Sequence, residues 1–190
     1  MSQSIVLDIG KYNNRISRSI TMVKCAITLK WSVPIPIGEA IDDPDFISSG
    51  VYCIIRKYGS NMNLYYVGKS AGVSVRGRLK KHQETTVKGK KGEKMVSFAR
   101  VSKDDVGDMN LKSVIDDIES LLIYDAQPEY NIQKKCTLNV KNDFILKNAG
   151  HKFPFFKPSI DSGKLMIESK SNPKKPKMMK RKDDDDWFGW

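Results

Sequence analysis

The chain has 190 residues, 39% of them hydrophobic and 29% charged, which fits one compact domain with extensions better than two full domains. Its formal net charge of +11 favours an anionic partner, and nucleic acid is the first candidate because counterion release supplies much of such affinity. No apolar run is long enough to cross a bilayer, and the run at residues 5–7 is too short for a signal peptide and lacks a basic flank. We therefore expect no membrane partner and a protein that stays inside the cell that makes it.

The first 48 residues are interpreted as an N-terminal extension. Residues 19–31 carry β-branched side chains in partial alternation, which predicts a strand. Pro34, Pro36 and Gly38 end that pattern, and residues 39–48 have the composition of an acidic loop with short helical turns.

A β-hairpin is predicted next. Residues 50–58 and 64–68 have the patterns of strands, and the turn-forming residues 59–63 separate them.

An amphipathic helix is predicted at residues 73–85, with Val75, Leu79 and His82 on one side. Gly77 weakens the start of this helix.

The following segments predict a basic loop at residues 87–94, a third strand at residues 95–101 and a helix at residues 112–126 that Pro128 ends. A further short helix is predicted at residues 139–148, within a C-terminal helical extension assigned to residues 136–158.

The three cysteines, Cys25, Cys53 and Cys136, are isolated and form no CxxC pair, which argues against a zinc knuckle. Cys53 lies in an apolar run and is interpreted as a small core residue. We expect reduced thiols in a cytoplasmic protein.

Candidate chemical groups lie in the middle of the chain. Cutting a phosphodiester requires a base for the attacking water, positive charge near the phosphorus oxygens and support for the leaving oxygen. Tyr52 and Tyr66 lie in the two hairpin strands, which brings them within reach of each other. A phenol is a poor base at its usual pKa of about 10 unless a cation lies near, and Lys69 follows the second strand. The plain alternative is that both tyrosines pack the sheet.

Arg78 and His82 are four residues apart in the predicted helix and share a face. Arginine matches phosphate geometry, and histidine can donate to phosphate or shuttle a proton. The alternative is an ordinary solvated basic face, because Lys80 and Lys81 lie beside them.

Glu119 lies in an otherwise apolar helical pattern. A carboxylate there is costly unless it is paired or binds a metal such as Mg²⁺. The alternative is a surface glutamate beside Asp116 and Asp117. Asn131 follows Pro128 and either locks a turn or is an ordinary turn residue.

The order of these groups is more specific than any one of them. The chain contains, in sequence, Gly50-Val51-Tyr52, Tyr66-Val67-Gly68-Lys69-Ser70, Arg78-Leu79-Lys80-Lys81-His82, Glu119 with Leu122-Ile123, and Pro128 with Tyr130-Asn131. Together they resemble the GIY-YIG nuclease family, with valine in place of isoleucine in both name-giving motifs. The resemblance covers residues 50–131, under half of the chain.

The resemblance implies an α+β domain, assigned to residues 49–135, built on a small three-stranded antiparallel sheet flanked by helices. It also implies that Tyr52 is the general base or its relay and that Tyr66 supports the nucleophile or the phosphate. Arg78 then stabilises the transition state, and His82 is a phosphate or proton-relay partner.

The remaining motif residues have implied roles in metal binding and support. Glu119 is expected to be the only protein ligand of a divalent metal, Mg²⁺ or Mn²⁺, and Asn131 a structural lock. Lys69 matches a lysine found in some family members.

Two departures from the family pattern bear on the site. The stretch from Gly68 to Arg78 is two residues longer than in some relatives, so Arg76 would fit the shorter spacing; Arg78 is preferred because it keeps the usual interval to His82. The loop at residues 87–94 is unusually basic. Phosphate contacts with DNA need no base reading and are expected from Lys80, Lys81, Lys88, Lys90, Lys91 and Lys94.

Residues 159–190 are interpreted as a disordered tail, first basic and then acidic and aromatic. The stretch 164–182 is expected to be a DNA-binding arm; the alternatives are a nuclear localisation signal, if the source is eukaryotic, and a solubilising tail.

We hypothesise that residues 183–190, four aspartates followed by an aromatic end, form a docking peptide. Trp187, Phe188 and Trp190 are expected to recruit a replication or other DNA-processing protein. A rival hypothesis is self-inhibition, in which the aspartates mimic DNA.

The sequence thus favours a metal-dependent DNA endonuclease that hydrolyses phosphodiester bonds. The alternative is a non-catalytic DNA-binding adaptor built on a nuclease fold, against which the retention of all five candidate catalytic residues argues. We expect a cytoplasmic, nucleoid-associated protein of phage or bacterial source, or a nuclear one if the source is eukaryotic.

Overall fold

The computed structural model describes residues 24–43, 49–71 and 75–175. In chain order they form β1 (Cys25–Trp31), β2 (Ile35–Pro36), α1 (Ile37–Asp42), β3 (Ser49–Tyr58), β4 (Asn61–Ala71), α2 (Val75–Glu84), β5 (Glu93–Arg100), α3 (Lys103–Val106), α4 (Leu111–Ala126), β6 (Phe144–Gly150), β7 (Ser159–Asp161) and α5 (Ser162–Ser171). The predicted α+β class is confirmed. Over the described ranges, no helix has the length and apolarity needed to cross a membrane.

One seven-stranded sheet organises the molecule, so the expected small three-stranded sheet was wrong. The strand order is β4-β3-β5-β1-β6-β7, and β2 pairs with β5. Among the three strands expected from the motifs, β3 lies in the middle and pairs antiparallel with both β4 and β5. The sheet is larger because β1 continues it beyond β5 and then pairs in parallel with β6. Segments assigned to both extensions therefore belong to the same sheet as the motif strands.

The central strand β3 explains the long apolar run in the sequence. It lies between β4 and β5, and its residues Val51 to Ile55 are all at most 1% exposed. Both faces of the sheet are covered at this strand. Val51, Cys53 and Ile55 contact the core under α4, while Tyr52 and Ile54 contact the core formed with α1 and α2. The prediction that Cys53 is a core residue is confirmed.

A β-bulge in β4 changes which side chains face the α2 side. The register of β3 and β4 passes from Ile54 opposite Tyr66 to Ile55 opposite Leu64, so Tyr65 has no partner of its own. An extra residue of this kind breaks the alternation of side chains along a strand. Tyr66 faces the same side as Tyr52 through the regular register, and the bulge lets Tyr65 pack on that side as well. The connecting turn is tighter than expected, because Gly59 and Ser60 alone form it and Gly59 has φ +59°.

The helix α4 agrees with its prediction and is capped at both ends. The side chain of Asn110 accepts a hydrogen bond from the backbone N–H of Ser113 at its start. At its end Gln127 adopts a left-handed conformation, φ 53°, and Pro128 follows. Ten residues of α4 are buried, among them Asp117 and Glu119.

The helix predicted at residues 139–148 was wrong, because residues 144–150 form the strand β6. Phe144-Ile145-Leu146 pairs in register with Cys25-Ala26-Ile27 of β1, and a short apolar run of this kind does not distinguish a buried strand from a helix. Gly150, with φ +77°, lies so close to Trp31 that a Cβ atom would come within 2.5 Å of the Trp31 carbonyl oxygen.

The disorder predicted from residue 159 was wrong for β7 and α5. The side chain of Asp161 caps α5 by accepting from the Lys164 N–H, and its carboxylate pairs with Lys24 at 2.7 Å. Ile160 and Leu165 are buried. Lys174 also has fixed contacts, since its ammonium donates to the Tyr124 carbonyl oxygen at 2.9 Å. Residues 176–190, with the predicted docking peptide at Trp187, Phe188 and Trp190, lie outside the described residues.

Candidate functional site at the β4 edge

The candidate site lies at the outer edge of β4, where the α2 side and the α4 side of the sheet meet. The segment after α4 runs along this edge: Glu129 N–H donates to the Leu64 carbonyl oxygen at 3.1 Å and Tyr130 N–H to the Tyr65 carbonyl oxygen at 2.7 Å. Asn131 then binds both backbone groups of Val67, with its Oδ1 accepting at 2.8 Å and its Nδ2 donating at 2.9 Å. These bonds satisfy part of the open strand edge and fix the chain that follows.

Tyr52, Tyr66 and His82 lie together between the sheet and α2. The Tyr52 hydroxyl is 3.3 Å from His82 Nε2, at the long end of a hydrogen bond. The Tyr66 ring packs on the His82 ring with centroids 4.2 Å apart, and the two tyrosine rings are 6.2 Å apart. His82 Nδ1 is 2.9 Å from the Thr86 hydroxyl, which can accept its proton and leave Nε2 free to accept from Tyr52.

Two glycines leave the space for this arrangement. Gly68 lies opposite Tyr52, and a Cβ atom on it would come within 2.5 Å of the Tyr52 ring and 2.8 Å of the Tyr66 ring. Gly50 has φ +148°, and a Cβ there would come within 2.2 Å of the Ala99 carbonyl oxygen. The glycines next to the two tyrosine motifs are therefore required by close approach.

Burial controls the protonation of this cluster. Burial, helped by the neighbouring Tyr66, raises the pKa of Tyr52 far above its usual value, although Arg78 opposes the shift. Burial also raises the pKa of Tyr66, with Glu119 adding to the effect. Burial lowers the pKa of His82, and the positive charges of Arg78 and Lys81 lower it further. At neutral pH both phenols are therefore protonated and the imidazole is neutral.

Arg78 and Arg76 point to different neighbours. Arg78 is exposed, donates from Nη1 to the Lys69 carbonyl oxygen at 2.9 Å, and interacts with both tyrosines. Arg76 lies 3.8 Å from a carboxylate oxygen of Asp42 in α1. The arginine chosen from its interval to His82 is thus the one that reaches the tyrosine cluster.

Glu119 brings α4 into the site. Its side chain is only 10% exposed, and its Oε2 lies 2.5 Å from Lys134 Nζ and 3.5 Å from Lys69 Nζ. Lys69 Nζ also contacts Asp116 Oδ1. These carboxylate contacts outweigh burial and raise the pKa of Lys69, so this cation is permanent at neutral pH.

An open groove of about 300 Å³ joins the two sides of the site. Tyr66 and Glu119 lie on its wall, and the segment from Tyr130 to Lys134 forms its opposite rim. Tyr66 therefore touches both the half-buried His82 and the open groove. A substrate bound in the groove would meet two phenols, a carboxylate and an ammonium group.

The chemistry of the groove fits an oxygen-preferring cation that brings most of its own ligands. Among the described residues no three His, Cys, Asp or Glu side chains converge as a metal cage. Mg²⁺ is commonly held by one or two carboxylates together with water and substrate phosphates, and Glu119 supplies one such carboxylate. Lys134 already binds that carboxylate, so a cation would have to compete with it.

The predicted DNA contacts divide into projecting and folded-back lysines. Lys80, Lys81, Lys88 and Lys91 are exposed. Lys94 instead bonds the carbonyl oxygens of Lys90 and Gly92, which closes its own loop.

Lys90 connects this loop to the groove. Its ammonium lies 5.9 Å from the Tyr130 ring, and Tyr130 lines the groove and packs edge-on against Tyr65.

Sequence reasoning missed Lys134, Asp116 and Thr86. The signal for Asp116 was its spacing of three residues from Glu119, which places both carboxylates on one face of α4. Thr86 has the same kind of signal, because it lies four residues after His82. Nothing in the sequence marks Lys134, since its approach to Glu119 depends on a loop conformation.

No protein-family model, curated protein or solved structure matches the chain.

Proposed function

We propose that the protein is a divalent-cation-dependent DNA endonuclease of the GIY-YIG type. The observation that carries the proposal is one continuous cluster: Tyr52, Arg78 and His82 gather around Tyr66, and Tyr66 shares a groove with Glu119. These five residues come from two strands and two helices. Chance motif matches would have no reason to converge in this way.

Tyr52 and His82 are suited to a proton relay. A buried phenol with a strongly raised pKa is a poor base by itself. It can pass a proton on if it gives its own proton to an acceptor while it takes one from the attacking water. His82 Nε2 is that acceptor, because the pKa of His82 is lowered and Nδ1 can donate to Thr86. The relay role of Tyr52 is therefore favoured over the role of general base.

Arg78 and Lys69 supply fixed positive charge. Arg78 donates to the Lys69 carbonyl oxygen and is exposed, so its guanidinium can also bind phosphorus oxygens. Glu119 is the residue that would hold the cation, and a bound Mg²⁺ or Mn²⁺ would stabilise charge on the leaving oxygen. Tyr66, on the groove wall, can donate its proton to a bound phosphate oxygen.

The test is nicking of supercoiled plasmid DNA with Mg²⁺ or Mn²⁺. We expect Glu119→Gln and Arg78→Ala each to lower the nicking rate by about 100-fold or more, because each removes charge stabilisation of the transition state. Arg76→Ala is the matched control on the same helix and should keep nearly full activity, since Arg76 pairs with Asp42.

One outcome would reject the nuclease and another would reject the assignment of Arg78. If the intact protein binds DNA but cuts none under either metal, a non-catalytic DNA-binding adaptor is the better description. If Arg76→Ala loses as much activity as Arg78→Ala, the site has been assigned to the wrong arginine.

A further inference from the structure

Glu119 shares one carboxylate oxygen between two lysines. Lys134 Nζ lies 2.5 Å and Lys69 Nζ 3.5 Å from Glu119 Oε2. Lys69 has a second carboxylate partner in Asp116, whereas the ion pair of Lys134 is with Glu119. The carboxylate that faces the groove is thus neutralised before any ligand binds.

An uncommon backbone conformation brings Lys134 to this position. Lys134 has φ +66°, in the left-handed region that non-glycine residues seldom adopt. The chain on both sides is fixed: Asn131 binds Val67, and the Lys135 carbonyl oxygen accepts from Gln127 Nε2 at 2.9 Å. A conformation with a steric cost persists when its surroundings determine it, and such conformations cluster at functional sites.

We infer that Lys134 is a built-in counter-ion that occupies Glu119 in the cation-free protein and must leave before Glu119 can coordinate a divalent cation. This inference rests on the proposed function. A dication and an ammonium group repel each other at a shared carboxylate oxygen, so they compete for Glu119. Lys69 stays in place because Asp116 holds it. The exchange sets the cation affinity of the site and keeps a largely buried carboxylate paired while no cation is present.

The test is a Mn²⁺ titration of the full chain without DNA, with free Mn²⁺ followed by electron paramagnetic resonance. The variant is Lys134→Asn, because asparagine tolerates the left-handed conformation and carries no charge. We expect the dissociation constant for Mn²⁺ to fall by roughly three- to ten-fold, the effect of removing one partly exposed competing ion pair. Lys134→Arg keeps the charge and should stay near the intact protein.

Two further variants control the result. Lys157→Asn breaks a similar pair with the buried Asp125, 2.6 Å long, and should leave Mn²⁺ binding unchanged. Glu119→Gln should abolish tight Mn²⁺ binding, both as a single substitution and in the double variant with Lys134→Asn. Lys134→Gln replaces Lys134→Asn if thermal unfolding shows that the asparagine variant does not fold.

The inference is overturned if removal of the Lys134 charge leaves Mn²⁺ affinity unchanged or lower, or if tight binding survives Glu119→Gln. Plasmid nicking by the same proteins separates this result from the fate of the nuclease. Tighter Mn²⁺ binding without any nicking would support the counter-ion and reject the nuclease. Metal-dependent nicking with unchanged Mn²⁺ affinity in Lys134→Asn would support the nuclease and reject the counter-ion role of Lys134.

Discussion

At the scale of single residues, neighbouring carboxylates of α4 have separate tasks. Asp117 is 2% exposed and accepts hydrogen bonds from the backbone N–H groups of Lys141 and Asn142, at 2.9 to 3.1 Å. It holds the loop before β6 against α4. Glu119, two residues later, faces the groove on another side of the helix. The sequence Asp116-Asp117-Ile118-Glu119 does not show which carboxylate is structural and which faces the groove. That difference depends on the loop at residues 141–142, which is distant in sequence and buries Asp117.

The protonation of His82 gives a prediction at the same scale. If His82 accepts the proton from Tyr52, it must be neutral, and its pKa is lowered by burial and by Arg78 and Lys81. Nicking should therefore rise with pH through a pKa below the usual histidine value of about 6.5 and be level near pH 7. Lys81→Gln should move this acidic limb upward, by less than about half a unit because Lys81 is exposed and screened.

The measurement pairs the pH dependence of kcat/KM with an NMR titration of His82. The chain has only two histidines, so the His82 signal can be identified by its loss in His82→Asn. An NMR pKa above 6.5, or an acidic limb that Lys81→Gln shifts downward, would contradict the relay.

At the scale of elements, local signals predicted the motif strands and helices well. The hairpin, α2, β5 and α4 all lie within a few residues of their predicted bounds, because each has a strong periodic pattern and clear turn or cap residues. The bulge at Tyr65 was not predictable, since the sequence around it fits an unbroken strand equally well. Yet the bulge is what brings Tyr65 to the face that Tyr52 and Tyr66 share.

The C-terminal elements show where local signals are too weak. The strand β6 depends on parallel pairing with β1, more than 100 residues away in the chain, and a local pattern cannot contain that partner. The helix α5 is polar and serine-rich, and it is held by a few buried side chains rather than a broad apolar face. Composition alone therefore predicted disorder.

A pair of substitutions in α5 tests this element. Leu165 is 8% exposed and contacts the core, whereas Ile167, on the same helix, is 66% exposed. Leu165→Asp should lower the free energy of unfolding by about 2–4 kcal/mol, because it removes buried apolar contacts and adds a buried charge. Ile167→Asp should change it by less than about 0.5 kcal/mol.

Urea unfolding followed by circular dichroism measures both effects. Equal, small changes in the two variants would mean that residues 162–171 do not pack as described. Equal, large losses in the free energy of unfolding would mean that Ile167 is buried as well as Leu165, contrary to the packing of α5 described above.

At the scale of the whole molecule, the excess positive charge does not come from the C-terminal end. Residues 176–190 hold four basic and four acidic residues, which cancel. The net charge of +11 therefore resides in residues 1–175. Within the described part, exposed lysines project from α2 and from the loop before β5, and Lys90 of that loop reaches Tyr130 on the groove rim.

This distribution predicts which lysines contribute to the salt dependence of DNA binding. Each phosphate contact contributes about 0.9 to the slope of log K against log salt concentration. The double variant Lys88→Gln/Lys91→Gln should therefore lower the slope by up to about 1.8 and weaken binding to all sequences alike. The control Lys147→Gln/Lys152→Gln removes the same charge from exposed positions on β6 and directly after it, at the other end of the sheet. It should leave the slope nearly unchanged.

Fluorescence anisotropy of a labelled duplex, measured over a range of salt concentrations, distinguishes the two double variants. If they lower the slope equally, the protein attracts DNA through its overall charge, and the loop before β5 makes no specific phosphate contacts. If the loop pair alone lowers it, DNA lies across α2 and that loop, beside the groove that holds Tyr66 and Glu119.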